Sequence, residues 1–228
     1  MDDIIVHLSP SNLNSWEELR TATEDSPPWV TPDEFKKSIL GEYKSSLSAE
    51  AGNAVHGFVF ENRKSHEAKE FRFTVDEDFM QFRKYFPFGY GVPEVSKVKY
   101  FPDKIEGCRI RISQRADYLS RNIVTEMKTS SHSFIKKGVL KGYLESPQSF
   151  SYTWTWEIPI RFLFAEIVID KKHEPMRISL KRADHSTAYP SSDSVDRLYN
   201  CVKTLVPYLR EDPEMWKRVT NRKLQDEF

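Results

Sequence analysis

Hydrophobic and polar residues alternate at every second position through the middle of the chain, which is the pattern of half-buried strands. The alternation runs through residues 109–119, stops at the turn-forming segment 120–122, and starts again over residues 123–128. Two strands joined by a tight turn are therefore predicted here. Residues 161–170 are apolar on both faces and predict a central strand, with residues 176–180 as its partner.

Helical spacing and capping signals lie on both sides of this strand-rich region. Ser9 followed by Pro10 predicts the start of a helix that continues to residue 20. Thr31 and Glu34 form a capping box for a helix that ends near residue 40. Further helices are predicted over residues 48–64, from residue 147, over residues 193–209 and over residues 212–224.

The order of these elements predicts the architecture. Helices, then a mixed sheet, then more helices are typical of an α/β fold with a central mixed β-sheet flanked by helices. At 228 residues the chain is long enough for a sizeable core and short enough for one domain. We expect a single domain, residues 1–228, with a core of about 50–183 and with helices 9–47 and 193–224 packed on it.

Composition restricts the compartment and the kinds of metal site. No apolar run approaches the length of a membrane span, and the acidic N-terminus lacks the basic and apolar regions of a signal peptide. The two cysteines, Cys108 and Cys201, are too few for a four-cysteine zinc or iron–sulfur site. They are expected to be buried thiols in a reducing compartment, so the predicted location is cytoplasmic.

Charge is unevenly distributed although the net charge is zero. Residues 1–96 carry 10 basic and 17 acidic side chains, a net charge of −7, whereas residues 97–141 carry 11 and 4, a net charge of +7. Residues 142–228 carry 13 of each. A basic region around a few acids suits a phosphodiester that approaches a metal ion, although a solvated basic hairpin would have the same composition.

Three charged residues in the predicted hairpin form the candidate catalytic group. Asp117 lies near the end of the first strand, and Glu126 and Lys128 share one face of the second. Two carboxylates can hold a hard divalent cation, and a lysine beside them can orient water or offset phosphate charge. The same acid-x-Lys spacing occurs in surface-type segments elsewhere, so the apolar strand context is what distinguishes this pair.

Two helical signals accompany the hairpin. His56 lies among the small residues of the predicted helix 48–64 and suits either a metal ligand or, more commonly, a structural histidine. Gln148 and Tyr152 lie one turn apart on the helix that starts at residue 147, and an ordinary helix with a buried tyrosine would look the same. Stacking surfaces for single strands are offered by five aromatic residues, most of them expected in the core: Phe86, Phe88, Tyr90, Trp154 and Trp156.

In their order along the chain, these segments resemble the PD-(D/E)xK nuclease superfamily and, more narrowly, its RecB-type and lambda-exonuclease-like branch. The resemblance covers about residues 50–170 and implies a restriction-endonuclease-like core. It rests on His56 in AGNAVHGFVFE, Asp117 in QRADYL, Glu126-Met127-Lys128, and Gln148-x-x-x-Tyr152. Ala116 replaces the proline of the motif and Gln114 replaces a frequent glycine, and the cysteines that hold an iron–sulfur cluster in some relatives are absent.

The resemblance implies roles for the site residues. Mg²⁺ or Mn²⁺, without an iron–sulfur cluster, would be bound by three side chains and one main-chain group: His56, Asp117, Glu126 and the carbonyl of Met127. Lys128 would position the attacking water and stabilise the transition state. Gln148 and Tyr152 would brace the site and contact the nucleic-acid backbone, and Glu61 and Arg115 would support it.

The resemblance also implies an activity. It favours a metal-dependent DNA exonuclease of recombination, repair or DNA degradation, which acts on single strands or duplex ends. Two alternatives stay open: an endonuclease specific for a structure or sequence, and a catalytically silent module that binds nucleic acid or protein. A recombination or repair protein is a compatible partner, no membrane association is expected, and a phage or mobile-element origin is compatible with the sequence.

Overall fold

The computed structural model describes residues 3–42, 45–68, 71–86, 90–131 and 139–221. The strands are β1 (Ile5–Leu8), β2 (Ser65–Ala68), β3 (Phe71–Val75), β4 (Gly91–Tyr100), β5 (Arg109–Ser120), β6 (Val124–Ser130), β7 (Ile160–Asp170) and β8 (Met176–Ala188). The helices are α1 (Pro10–Thr21), α2 (Pro32–Leu40), α3 (Leu47–Glu61), α4 (Val139–Leu144), α5 (Pro147–Trp156), α6 (Ser192–Glu211) and α7 (Pro213–Thr220), and a 3-10 helix covers Glu77–Tyr85.

The described strands form one eight-stranded mixed sheet in the order β1-β5-β6-β7-β8-β3-β2, with β4 paired to the other edge of β5. Parallel pairs join β1 to β5, β6 to β7 and β3 to β8, and the other neighbours are antiparallel. The predicted α/β fold with a central mixed sheet and flanking helices is confirmed at this level.

The predicted hairpin and the predicted central strand are both present. β5 and β6 are joined through a turn in which the Ser120 amide donates to the Ile123 carbonyl at 3.0 Å. β7 lies between β6 and β8, and its residues 162–167 are buried on both faces of the sheet. An apolar run of this kind requires a layer on each side of the sheet, and the helices supply both layers.

Local sequence signals set the helix starts as predicted. Ser9 caps α1 and Thr31 caps α2, each with a reciprocal capping box and with proline at the first helical position. The helix predicted over residues 48–64 ends earlier, at Glu61, because Asn62 adopts a left-handed conformation and its amide closes the last turn on Phe58. The next residues, Ser65–Ala68, form the edge strand β2 instead.

The two helical layers differ in composition and size. On one face α3 packs against β6, β7 and β3 through buried side chains such as Val55, Val59, Met127 and Leu163. On the other face α5 is buried between the sheet and the helices α1 and α6. Both cysteines are free and buried in this second layer. No helix among the described residues is long and apolar enough to cross a membrane.

Gly52 allows α3 to approach β6 closely. A Cβ atom built at this position would lie 2.7 Å from Oγ1 of Thr129 on β6, which is closer than real Cβ contacts. Since His56 lies one turn further along the same helix, the distance between helix and strand fixes where its imidazole reaches.

We expect Gly52→Ala to lower the free energy of unfolding by about 1–3 kcal/mol, because helix and strand must separate or Thr129 must move. The double variant Gly52→Ala/Thr129→Ala should recover most of this loss. Gly142→Ala is the matched control, since a Cβ there meets no described atom within 4 Å and alanine favours a helix. Urea unfolding curves check this, and equal stability of Gly52→Ala and wild type would contradict the close contact.

Candidate active site

The candidate residues meet where β5 and β6 separate. The ladder between these strands has two register pairs, Tyr118 with Thr125 and Leu119 with Val124. Nearer the start of β5, the edge of the strand that pairs with β6 pairs with β1 instead, through residues 109–112. The sheet therefore has a fork between β5 and β6, and Asp117 and Glu126 lie at its apex.

Two carboxylates bridge the fork in place of ladder hydrogen bonds. The Met127 amide donates to Oδ2 of Asp117 at 2.7 Å, and the Asp117 amide donates to Oε1 of Glu126 at 3.0 Å. Each strand thus supplies one carboxylate to the backbone of the other. These bonds satisfy amides that the separation of the strands would leave unpaired, and they fix the two acids side by side.

Glu126 is held in a setting that disfavours its negative charge. Its side chain is 1% exposed, and burial together with the neighbouring Asp117 raises the pKa of Glu126 to about 8. Lys128, which donates to Oε2 of Glu126 at 3.3 Å, acts in the opposite direction but does not cancel these two effects. A cation placed between the two acids would remove their repulsion.

Lys128 remains cationic beside the acids. Burial opposes its charge, but the acidic groups around it, led by Tyr143 and Glu126, outweigh burial and hold the pKa of Lys128 well above its usual range. Its ammonium lies 5.8 Å from the centre of the Tyr152 ring. The side chain is 24% exposed, so a ligand arriving from solvent can reach it.

His56 closes the site from the α3 side. Its Nε2 lies 3.1 Å from the Met127 carbonyl oxygen, and its Nδ1 lies 3.8 Å from Oδ1 of Asp117. A carbonyl can only accept, so Nε2 carries the hydrogen in this arrangement. Two of the expected ligands, the imidazole and the carbonyl, therefore pair with each other.

A cleft of about 520 Å³ leads from solvent to this group. It lies between the start of α3 and the end of β6, and both His56 and Lys128 line it. The remaining lining is mostly small and polar, with Ser46, Ser48, Asn53 and Ser131 among its members. Such a lining can accept a hydrated, charged ligand without the desolvation penalty of an apolar pocket.

α5 supports the site from the opposite layer. The Tyr152 hydroxyl donates to the carbonyl of Arg115 at 3.2 Å, which ties α5 to β5 just before Asp117. Gln148 lies one turn earlier on the same helix and is half-buried.

Tyr143 was not predicted as a site residue. It lies on α4 near Lys128, and burial raises the pKa of its hydroxyl to about 12. A lone tyrosine on a short helix gives no signal in sequence.

Two expected supporting residues lie elsewhere. Glu61 is at the end of α3, where its exposed side chain pairs with Arg63 instead of reaching the site. The Arg115 side chain is 71% exposed and pairs with Glu94 at 2.8 Å, so only its carbonyl takes part in the site.

Most of the aromatic residues considered for stacking are also placed away from solvent. Phe86, Trp154 and Trp156 are buried, as core residues, whereas Tyr90 is 79% exposed. Phe88 lies outside the described residues. The expectation that most of these residues lie in the core is therefore confirmed.

The donor set fits a hard divalent cation in its chemistry. Two carboxylates, a carbonyl and an imidazole suit Mg²⁺ or, with the imidazole, Mn²⁺. Within the described residues, however, no three His, Cys, Asp or Glu side chains are already arranged around a common point. Binding would have to replace the hydrogen bond between His56 and Met127 and draw on carboxylate oxygens that now face amides and Lys128.

Comparisons with known proteins give a fold-level similarity and no family. No protein-family model matches the chain, and no curated protein matches it. Among solved structures, the crystal structure of SSO0001 is similar over 91% of this chain and 78% of that chain, with 15% sequence identity and a TM-score of 0.49. A similarity of this size assigns no activity to the chain.

The raised pKa of Glu126 predicts how metal-free stability depends on pH. Glu126 is neutral in the folded protein below about pH 8 but ionises near pH 4.5 when unfolded, so wild type loses stability as pH rises between these values. Glu126→Gln cannot ionise. We therefore expect its stability relative to wild type to improve from pH 5 to pH 8, by up to about 1.4 kcal/mol per pH unit.

Urea unfolding of both proteins in EDTA, at intervals of half a pH unit, measures this difference. The quantity compared is how the difference in unfolding free energy between the two proteins changes with pH. Its value at a single pH is not used, because glutamine also changes the hydrogen bonds to Asp117 and Lys128. Parallel stability profiles of wild type and Glu126→Gln would contradict a buried, proton-holding Glu126.

Proposed function

We propose that this protein is a metal-dependent DNA nuclease with a restriction-endonuclease-like core of the PD-(D/E)xK type. The observation that carries the proposal is the fork between β5 and β6. There, two bridged carboxylates contact a cationic lysine, and this lysine lines a polar cleft together with His56 and Met127. This arrangement supports phosphodiester hydrolysis better than a structural role, because a buried pair of acids costs stability unless it binds a cation.

Asp117 and Glu126 would hold the cation, with the Met127 carbonyl and His56 completing the protein ligands. When bound, Mg²⁺ or Mn²⁺ supplies Lewis acidity, which lowers the pKa of water and offsets charge on the scissile phosphate. Water then adds to phosphorus as the bond to the leaving oxygen breaks, leaving a phosphate monoester and a free hydroxyl. The reciprocal bridges keep the two acids side by side, whereas the contact between His56 and the Met127 carbonyl has to open before both groups can bind the cation.

Lys128 contributes a fixed positive charge on the solvent side of Glu126. Its ammonium can donate to the attacking water or to a phosphate oxygen while it remains in contact with Glu126. The Tyr152 ring lies on one side of the ammonium, 5.8 Å from its centre, and the side chain of Lys128 is 24% exposed. Its role is to orient and to stabilise developing negative charge, not to bind the cation.

DNA is the proposed substrate because the hairpin of the site lies in the basic segment of the chain. Residues 97–141 carry a net charge of +7, and Asp117 and Glu126 are two of the four acids in that segment. The surrounding field attracts a polyanion, while the acids reserve the centre for a cation. We favour exonuclease action, with an endonuclease on the same core as the alternative.

Linear and covalently closed circular DNA distinguish these activities. We expect wild type with Mn²⁺ to release nucleotides or short products from linear DNA and to leave the closed circle intact. Nicking or linearisation of the circle would favour the endonuclease instead. No cleavage of either DNA with Mn²⁺ or Mg²⁺ over pH 6–9 would contradict a nuclease and favour a silent binding module.

Lys128→Ala should lower turnover by a factor of at least about 10³ and leave Mn²⁺ affinity within a few-fold of wild type. The lysine stabilises charge in the reaction, and mutations of such groups cost turnover of this order. Activity assays and Mn²⁺ titration calorimetry on the same preparation measure the two effects. The control is Lys181→Ala, because Lys181 also pairs with a buried glutamate, Glu166, at 2.6 Å on β8 and β7.

Lys181→Ala should retain activity, since Lys181 and Glu166 pair between β8 and β7 and not across the fork between β5 and β6. Parallel losses of turnover and of Mn²⁺ affinity in Lys128→Ala would show that the lysine holds the metal site together, which contradicts the role proposed here. Equal loss of activity in both lysine variants would point to a general effect on the sheet.

A further inference from the structure

One face of β4 and β5 is left exposed to solvent. The paired residues Ser96 and Arg115, Val98 and Ser113, and Tyr100 and Arg111 point to the same side of the sheet. With Arg109, which follows the same alternation, they make up what we call the open face: Ser96, Val98, Tyr100, Arg109, Arg111, Ser113 and Arg115. All are exposed except Arg111, which is half-buried.

The reverse side of the same strands is part of the core. Ile110, Ile112 and Ala116 of β5 are fully buried against the layer that contains α1, α5 and α6. Burial therefore alternates along residues 95–100 of β4 and residues 109–118 of β5, where the side opposite the open face is buried in β5 and half-buried in β4. A sheet face of this kind is flat and rigid, because the packed side fixes the position of the exposed one.

The open face is basic and carries one stacking platform. The guanidinium of Arg109 lies 5.1 Å from the centre of the Tyr100 ring, and Nη1 of Arg111 is 2.9 Å from Nδ1 of His7 on β1. Among the described residues of β4 and β5 on this side, Glu94 is the only acid besides Asp117, and it pairs with Arg115 at 2.8 Å.

The open face leads directly to the candidate active site. Its row on β5 passes through Arg109, Arg111, Ser113 and Arg115 and continues to Asp117, two residues further on. At about 3.3 Å per residue the row is roughly 26 Å long, which is enough to contact several nucleotides. A strand lying along it would end at the fork between β5 and β6, where the pairing of β5 with β4 is interrupted at Asp117.

We propose that the open face binds the single-stranded part of the DNA substrate and guides it to the fork, an inference that rests on the proposed function. Three arginines match a row of phosphates, and the exposed Tyr100 ring can stack on an unpaired base, which a duplex would not offer. A protein partner fits this face less well. Its exposed apolar side chains are limited to Val98 and Tyr100, and its charge is strongly of one sign.

Fluorescence anisotropy with a labelled oligothymidine of about 15 nucleotides, in EDTA so that no cleavage occurs, tests this proposal. We expect Arg115→Ala and Tyr100→Ala each to weaken binding at least about five-fold. Arg115→Ala should also reduce the slope of log K against log salt by about 0.7, whereas Tyr100→Ala should leave that slope unchanged. Both side chains are exposed, and melting curves check that the variants fold.

Arg72→Ala is the matched control. Arg72 is on β3 at the far end of the sheet, is 63% exposed and pairs with Glu67 by an ion pair, as Arg115 pairs with Glu94. It should bind like wild type. Affinities of Arg115→Ala and Tyr100→Ala within two-fold of Arg72→Ala would overturn the proposal, as would equal or tighter binding of a duplex of the same length.

The two proposals fail in different ways. If binding depends on Arg115 and Tyr100 but wild type cleaves no DNA in Mn²⁺, the open face is supported as a DNA-binding surface and the nuclease activity is contradicted. If wild type cleaves DNA but both variants bind it as wild type does, the nuclease activity is supported and the open face is contradicted as its DNA-binding surface.

Discussion

Two hydrogen bonds that cross the fork between β5 and β6 fix the geometry of the candidate active site. Asp117 and Glu126 each accept from the backbone of the opposite strand, so carboxylates replace the ladder where the strands part. Without these bonds the separated amides would need water, and the two acids would be free to move apart. With them, two acids are held next to each other in a buried position, where burial and the neighbouring Asp117 raise the pKa of Glu126.

The same constraint explains the neighbouring residues. The repulsion between the two acids and the burial of Glu126 together favour a proton there, and Lys128 offsets part of the unfavourable charge. Gly52 lets α3 come close enough for His56 to reach the Met127 carbonyl, and Tyr152 anchors α5 to β5 through the carbonyl of Arg115. The site is therefore held by both helical layers, and two of its expected ligands, His56 and Met127, line the polar cleft between α3 and β6.

The sequence predicted the parts of this structure that depend on local pattern. Alternation located β5, β6 and β7, and capping residues located α1 and α2, because these signals act over a few neighbouring residues. The ordered spacing of His56, Asp117, Glu126 and Lys128 indicated which side chains would meet. The reciprocal bridges could not be foreseen, because they depend on where a ladder between two strands stops, which is set by the packing of β1 and β6 along β5.

The directions of individual side chains could not be predicted from the sequence either. Arg115 was expected in the site, but its exposed side chain pairs with Glu94 of β4, a partner that only the pairing of the two strands brings within reach. Tyr143 was not expected but lies near Lys128, which depends on how α4 docks. The most direct test of the central claim is a crystal structure of the protein soaked in Mn²⁺, with anomalous diffraction at the manganese edge. The account predicts one strong peak in contact with Asp117, Glu126 and the Met127 carbonyl. No peak there at saturating Mn²⁺, with the bridges and the contact between His56 and Met127 unchanged, would contradict it.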